Sequence, residues 1–184
     1  ALHAEGVRPG DRVALLLSND APFVILSYAI ARLGAVLVPL SLREQTPGLR
    51  HSLTQSGAKI LIAEASSAPQ VPPMDETPEM IRRFALGKIP GFCQYHRLLS
   101  ADPADAPPPA RPDEEAVATL LYTSGTTGVP KGAMLTHLGI VHSASAYMHF
   151  LDARAGDRVG IVAPLSHVTG LVAGMHFAVR AGAA

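Results

Sequence analysis

The residue types that grip phosphate are concentrated in Thr123-Ser-Gly-Thr-Thr-Gly-Val-Pro-Lys-Gly132. These ten positions hold four hydroxyl side chains, three glycines and one lysine. Glycine lets a backbone turn sharply and come close to a ligand, because no Cβ blocks the approach. Consecutive N–H groups in such a turn form an anion-binding concavity. Hydroxyls add neutral donors, and Lys131 adds a mobile positive charge suited to terminal phosphate oxygens. A hydrogen bond to an ionised partner contributes about 1.5–3 kcal/mol, so several acting together could hold a polyphosphate.

Spacing narrows the kind of grip. A P-loop needs glycine, four residues, then Gly-Lys-Ser/Thr. Counted from Gly125, the second glycine slot is Pro130 and the residue after Lys131 is Gly132. The dinucleotide fingerprint fails as well, because Thr126 and Thr127 separate Gly125 from Gly128. A nucleophile elbow would need glycine at Tyr122, two before Ser124.

The longer run Tyr122-Thr-Ser-Gly-Thr-Thr-Gly-Val-Pro-Lys-Gly-Ala-Met-Leu-Thr-His137 closely resembles the phosphate-loop signature of the adenylate-forming superfamily, which includes acyl-CoA synthetases, luciferases and nonribosomal peptide adenylation domains. Gly6-Val-Arg-Pro-Gly-Asp-Arg-Val-Ala-Leu15 and Ala31-Arg-Leu-Gly-Ala-Val-Leu-Val-Pro-Leu40 are similar to the first lobe of acyl-CoA synthetases. The resemblance spans most of the chain outside residues 64–115. It implies that the loop holds the β- and γ-phosphates of ATP through the amides of Gly125 to Gly128, the hydroxyls of Thr123, Ser124, Thr126 and Thr127, and Lys131. It also implies magnesium between the phosphates, with Thr123 the loop hydroxyl nearest the metal.

A second stretch, Pro164-Leu-Ser-His-Val-Thr-Gly170, follows an apolar run. In open α/β sheets, ligands sit beyond the carboxyl ends of strands. In the family this segment lies against the carboxylate substrate, so the resemblance puts His167 at the acyl pocket and gives Gly170 the task of leaving room for substrate. Ser166 stands where relatives often carry an aromatic residue. The competing reading of His167 is a helix-capping residue with a structural role. The apolar Leu165…Leu171-Val-Ala-Gly174 run leans towards a fatty or aromatic acid. His137 ends the signature, and His142 and His149 on one predicted helix lack metal-site spacing.

The elements that must position these stretches are α/β in pattern. Arg12–Leu17 reads as a buried strand, and Ser18-Asn19-Asp20 with Pro22 starts a helix. Phe23, Leu26, Ile30 and Leu33 form its apolar stripe, ended by Gly34. A strand over 35–40, a helix from Thr46-Pro47 to Gly57 with Leu49 and Leu53 inward, and a strand over 59–63 follow. This β-α-β-α-β succession predicts a largely parallel sheet with right-handed crossovers and flanking helices. It lacks a glycine-rich turn after its first strand, so residues 1–63 read as scaffold.

Residues 64–115 read as an irregular Pro-rich connection, with Glu64–Glu79 and Ala101–Asp113 exposed and Arg82-Arg83 on a solvated face. Residues 116–184 carry the phosphate loop and the acyl-pocket segment. There, 116–122 and 133–135 read as strands, Thr136 as the cap of a helix to about Phe150 with Leu138, Val141, Met148 and Leu151 on one side, and 158–163 as a buried strand. All three parts belong, by resemblance, to the large N-terminal domain of an acyl-adenylate-forming enzyme.

Composition sets outer bounds. The 184 residues are 48% hydrophobic with zero net charge, enough for a substantial core and without the basic excess that captures nucleic acid. No run approaches the roughly 20 apolar residues of a membrane span, and no leader is visible. Cys93 is the single cysteine, which fits a reducing, cytoplasmic setting. Both ends read as cut, with Ala1–Glu5 as a helix tail and 173–184 stopping in apolar sequence.

The resemblance therefore implies an AMP-forming acid–thiol ligase that uses ATP, magnesium and coenzyme A to convert a carboxylic acid to an acyl-adenylate and then a thioester. It also implies that these residues alone do not turn over, because the adenine pocket, the ribose-binding and metal-binding acids and the C-terminal lysine lie downstream in such enzymes. Two alternatives stay open: an adenylation domain serving a carrier protein, and a noncatalytic phosphate-binding or interaction module.

Overall fold

Alternation along the first strand decides how the layers form. In a computed structural model, which describes residues 1–123 and 129–184, β1 (Arg12–Leu16) lies at the middle of the sheet. Val13, Leu15 and the following Leu17 face one way and pack with Phe23, Leu26 and Ile30 of α1 (Ala21–Arg32). Ala14 and Leu16 face the other way, towards Leu49 and Leu53 of α2 (Thr46–Ser56). Burying each such large side chain contributes about 1.5–3 kcal/mol, so the two faces make two cores.

Helix ends follow local chemistry. Asp20 caps α1 by accepting from the Ala21 amide at 2.7 Å, with Pro22 in the first turn. α2 stops at Gly57, whose φ of +60° suits a residue without Cβ, and Arg12 donates to the carbonyls of Ser56 and Gly57 there.

Among the described residues the sheet has seven strands, in the order β5-β4-β3-β1-β2-β6-β7. These are β2 (Val36–Pro39), β3 (Ala58–Glu64), β4 (Arg82–Leu86), β5 (Cys93–Gln94), β6 (Val117–Thr123) and β7 (Lys131–Thr136). All pairs are parallel except β6 with β7, which is antiparallel and sets Thr123 opposite Lys131. A short α3 (His96–Leu99) follows β5. α4 (His137–Phe150) follows β7, capped by Thr136 Oγ1 accepting from the Gly139 amide at 3.1 Å. A helical run of α5 (Val168–Gly170), a π-helical turn (Leu171–His176) and α6 (Phe177–Ala181) packs beside α4. No helix among the described residues is long and apolar enough to cross a membrane.

Four expectations change. Residues 158–163 form no strand, and Val162 is 97% exposed. A strand needs a partner ladder, and among the described residues this backbone meets only Ala184, through the Val159 amide, and Asn19, through the Ala163 carbonyl. Arg83 is buried rather than solvated. It donates to the carbonyls of Pro72 and Pro73 and to Thr77 Oγ1, and lies over the Phe92 ring. That clamp also folds 64–79 partly inward, with Ser67, Pro72 and Thr77 buried. On α4 the buried line is Ile140 and Ala144, while Leu138, Val141 and Leu151 are exposed. A small residue at 144 lets α4 approach its neighbours along that line, which leaves Leu138 and Val141 on its flanks.

Candidate functional site

The carboxyl ends of β1, β2 and β6 meet at one side of the sheet, and the chain after residue 162 is drawn across them. Asn19, just past β1, makes the tie. Its Nδ2 donates to the Ala163 carbonyl at 2.8 Å and its Oδ1 accepts from the Leu165 amide at 2.8 Å. Only one orientation of the carboxamide satisfies both bonds. Glu64, at the end of β3, accepts from the Ser18 amide and hydroxyl, each at 2.8 Å, and so steadies the loop that carries Asn19. Burial pushes the Glu64 carboxyl up, but the bonds from Ser66 and Ser18 outweigh it and hold it below the usual value.

The turn held this way is tightly built. The His167 amide donates to the Pro164 carbonyl at 3.0 Å. Gly170 is buried against the same backbone, where a Cβ would lie 2.2 Å from the Pro164 oxygen and 2.6 Å from the Ala163 oxygen. The small size of Gly170 is thus used for contact within the chain, and it does not line the adjoining cavity. His167 is exposed and caps α5, its Nδ1 accepting from the Thr169 amide at 3.3 Å. An accepting Nδ1 puts the ring proton on Nε2. The capping role and an outward-facing donor therefore coexist in one side chain.

Between this turn and the end of β6 lies a cavity of about 600 Å³, lined by Tyr122, Thr123, Ser41, Arg43, Ser166 and His167 among others. A smaller one of about 210 Å³ shares Ser41, Arg43, Pro164 and Ser166 and reaches Ser18 and Asn19. Thr123 is exposed at the end of β6, and Lys131 is exposed at the start of β7, opposite it. The two ends of the glycine-rich stretch are thereby brought together, with Thr123 lining the cavity. Ser124, Gly125, Thr126, Thr127 and Gly128 lie outside the described residues. Burial pushes the Tyr122 phenol up, opposed in part by a bond with Ser56, so this wall of the cavity is neutral.

Two sequence readings shift at this point. The apolar run after Leu165 is spent in the core, with Leu165 3% and Leu171 0% exposed, so it says nothing about the cavity's lining. Ser41, Arg43 and Glu44 come from a segment that reads as scaffold, yet they form a wall of the cavity. The signal that could have found them is their position just beyond the carboxyl end of β2. Among the described residues no three His, Cys, Asp or Glu side chains cluster as a metal site.

Comparison with known proteins fits this geometry. The sequence profile described as "AMP-binding enzyme" matches residues 1–184. The chain belongs to the AMP-binding enzyme family. Within that family it is 38% identical over 170 residues to a feruloyl-CoA synthase of Amycolatopsis sp, covering 92% of this chain and 32% of that protein. It is 36% identical over 186 residues to the long-chain-fatty-acid–CoA ligase FadD13 of Mycobacterium tuberculosis, covering 97% and 35%. Among solved structures, the anthranilate CoA ligase AuaEII in complex with anthranoyl-AMP superimposes with a TM-score of 0.93 at 26% identity, over 100% of this chain and 36% of that one. The chain thus spans about a third of the length of these relatives. Its largely parallel sheet with flanking helices is the architecture found in that structural neighbour.

Proposed function

We propose that the protein containing this chain activates a carboxylic acid with ATP, giving an acyl-adenylate and pyrophosphate, and then passes the acyl group to the thiol of coenzyme A. The observation that carries this reading is the cavity shared by Tyr122–Thr123 and the Ser166–His167 turn, large enough for two reactants to meet. Attack of a carboxylate oxygen on the α-phosphorus brings two anions together, so the protein must neutralise charge and align the partners. Lys131 and the stretch from Thr123 to Gly128 would hold the leaving pyrophosphate. Arg43 brings a guanidinium to the cavity wall, beside the Glu44 carboxylate, and His167, with its proton on Nε2, offers a donor to the substrate carboxylate. Magnesium takes few protein oxygens and keeps water and phosphate oxygens. The Thr123 hydroxyl, one of several lining the cavity, fits such a site and would supply one of them. The names of the relatives, one aromatic and one long-chain aliphatic, support a fatty or aromatic acid as substrate. The chain alone is proposed to grip pyrophosphate without turning over.

The test is kinetic, in the full-length protein. Lys131→Ala should raise the KM for ATP by at least about tenfold, the loss of one charged hydrogen bond, while leaving acid binding nearly intact. His167→Ala should change the order of preference among acids and slow adenylation. Unchanged ATP constants for the first variant, together with wild-type kinetics for the second across several acids, would refute the reading.

A further inference from the structure

The glycine-rich stretch joins β6 to β7, and among the described residues β7 is the last strand of the sheet, with a neighbour on one side only. The limb that leads into Lys131 therefore cannot be held by sheet pairing on its outer side. A residue of α2 holds it instead. His51 Nε2 lies 3.0 Å from the Pro130 carbonyl. Proline has no N–H, so this oxygen is the one polar backbone group that Pro130 offers, and because it can only accept, the proton must sit on His51 Nε2. The same imidazole meets the Tyr122 ring edge to face, with centroids 6.5 Å apart and planes at 88°. Tyr122 in turn lies close over Gly132, where a Cβ would come within 3.2 Å of its ring. One side chain of α2 thus touches the residue before Thr123 and the residue before Lys131, fixing both feet of the stretch.

We infer that His51 is a positioning residue for the phosphate grip, setting Lys131 and Thr123 at the separation that the terminal phosphates of a nucleoside triphosphate require. The inference rests on the function proposed above and assigns to α2, a helix of the scaffold, a part in nucleotide binding. His51 touches no reacting atom; it acts through Pro130 and Tyr122.

The test compares two variants of the full-length protein. His51→Phe keeps a ring against Tyr122 but has no donor for Pro130, whereas His51→Gln keeps a side-chain N–H. The first should raise the KM for ATP about five- to tenfold, the equivalent of one hydrogen bond, with the KM for the acid and the thermal midpoint unchanged. The second should recover most of the loss. Calorimetric titration with pyrophosphate, which needs no turnover, should weaken in parallel for His51→Phe. An ATP constant at the wild-type value in H51F would overturn the inference. So would a joint rise in both Michaelis constants with a fallen thermal midpoint, or failure of H51F to fold, because either marks a purely structural histidine. A His51→Gln variant no better than His51→Phe would overturn it too. Lys131→Ala separates the two levels: if it impairs ATP use while H51F does not, only the role of His51 falls. If Lys131→Ala leaves ATP use intact, the proposed function falls and takes this role with it.

Discussion

Removing the Asn19 carboxamide should loosen the His167 turn selectively. Asn19→Ala deletes both the donor to the Ala163 carbonyl and the acceptor of the Leu165 amide. Each bond contributes about 1 kcal/mol net, and the partly buried Leu165 amide is left with no protein acceptor, so the turn should lose about 2–3 kcal/mol of local stability. That corresponds to a roughly 30- to 150-fold smaller preference for the docked turn. Hydrogen exchange over residues 163–168 reads this directly, as a matching loss of protection at the Leu165 amide. Asn19→Asp sharpens the test. An ionised carboxylate can still accept from Leu165, but it sets an anionic oxygen against the Ala163 carbonyl where a donor stood 2.8 Å away. Lowering the pH through the carboxyl's own titration returns a proton to donate, so N19D should regain protection as pH falls while N19A does not. Wild-type exchange in N19A, or an N19D variant indifferent to pH, would refute the argument that this side chain holds the turn.

Three other outcomes follow from the geometry. Gly170→Ala puts a methyl group against the Pro164 and Ala163 oxygens, so backbone must move. We expect a loss of about 1–3 kcal/mol in urea unfolding together with altered acid kinetics, since the displaced residues carry His167. Burial holds the His176 imidazole down to about 4, from an ordinary 6.5. The unfolded chain therefore takes up a proton between those values that the folded chain refuses, and stability should fall as pH drops through that window, by about 3 kcal/mol at its lower end. His176→Gln should flatten this part of the urea-stability profile. Arg83→Met strands the buried carbonyl of Pro72 and removes a donor from the more exposed one of Pro73. It should cost on the order of 3 kcal/mol, with ATP and acid constants unchanged in the folded fraction, because β4 lies four places from β6 in the sheet.

What was legible in the sequence is what local chemistry decides. The Asp20 cap, the Phe23–Leu26–Ile30 stripe and the Gly57 stop each depend on neighbours within a few residues, and the first three strands and two helices follow from them. The glycine-rich stretch pointed to the AMP-binding enzyme family for the same reason, as a contiguous string of residue types. Where the outcome depends on a distant partner, the reading failed. Residues 158–163 have the apolar composition of a buried strand, but composition supplies no ladder. Arg83 looks solvent-bound beside Arg82 until the carbonyls of Pro72 and Pro73, eleven and ten residues earlier, are folded onto it. Ser41 and Arg43 carry no motif, and Asn19 reads only as part of a helix start; sheet topology brings them to the two cavities, and His51 to Pro130 and Tyr122.

That topology also explains why a site can exist between stretches so far apart in the chain. The right-handed crossover through α1 covers one face of the sheet, and the return through α2 passes back over β1 on the other face. Neither helix caps the carboxyl ends of β1, β2 and β6, so those ends stay open. Each then contributes the first polar residues beyond its strand: Asn19, Ser41 with Arg43, and Thr123. The turn at 163–169 reaches this opening by binding Asn19, not by joining the sheet, whereas Thr123 and Lys131 are held by strand pairing and Pro130 by His51. The two halves of the cavity thus have separate anchors. Changes at residues 166–169 need not disturb Thr123 and Lys131, so under the proposed function a family whose members are named for aromatic and long-chain acids alike has a physical basis for varying one half while keeping the other.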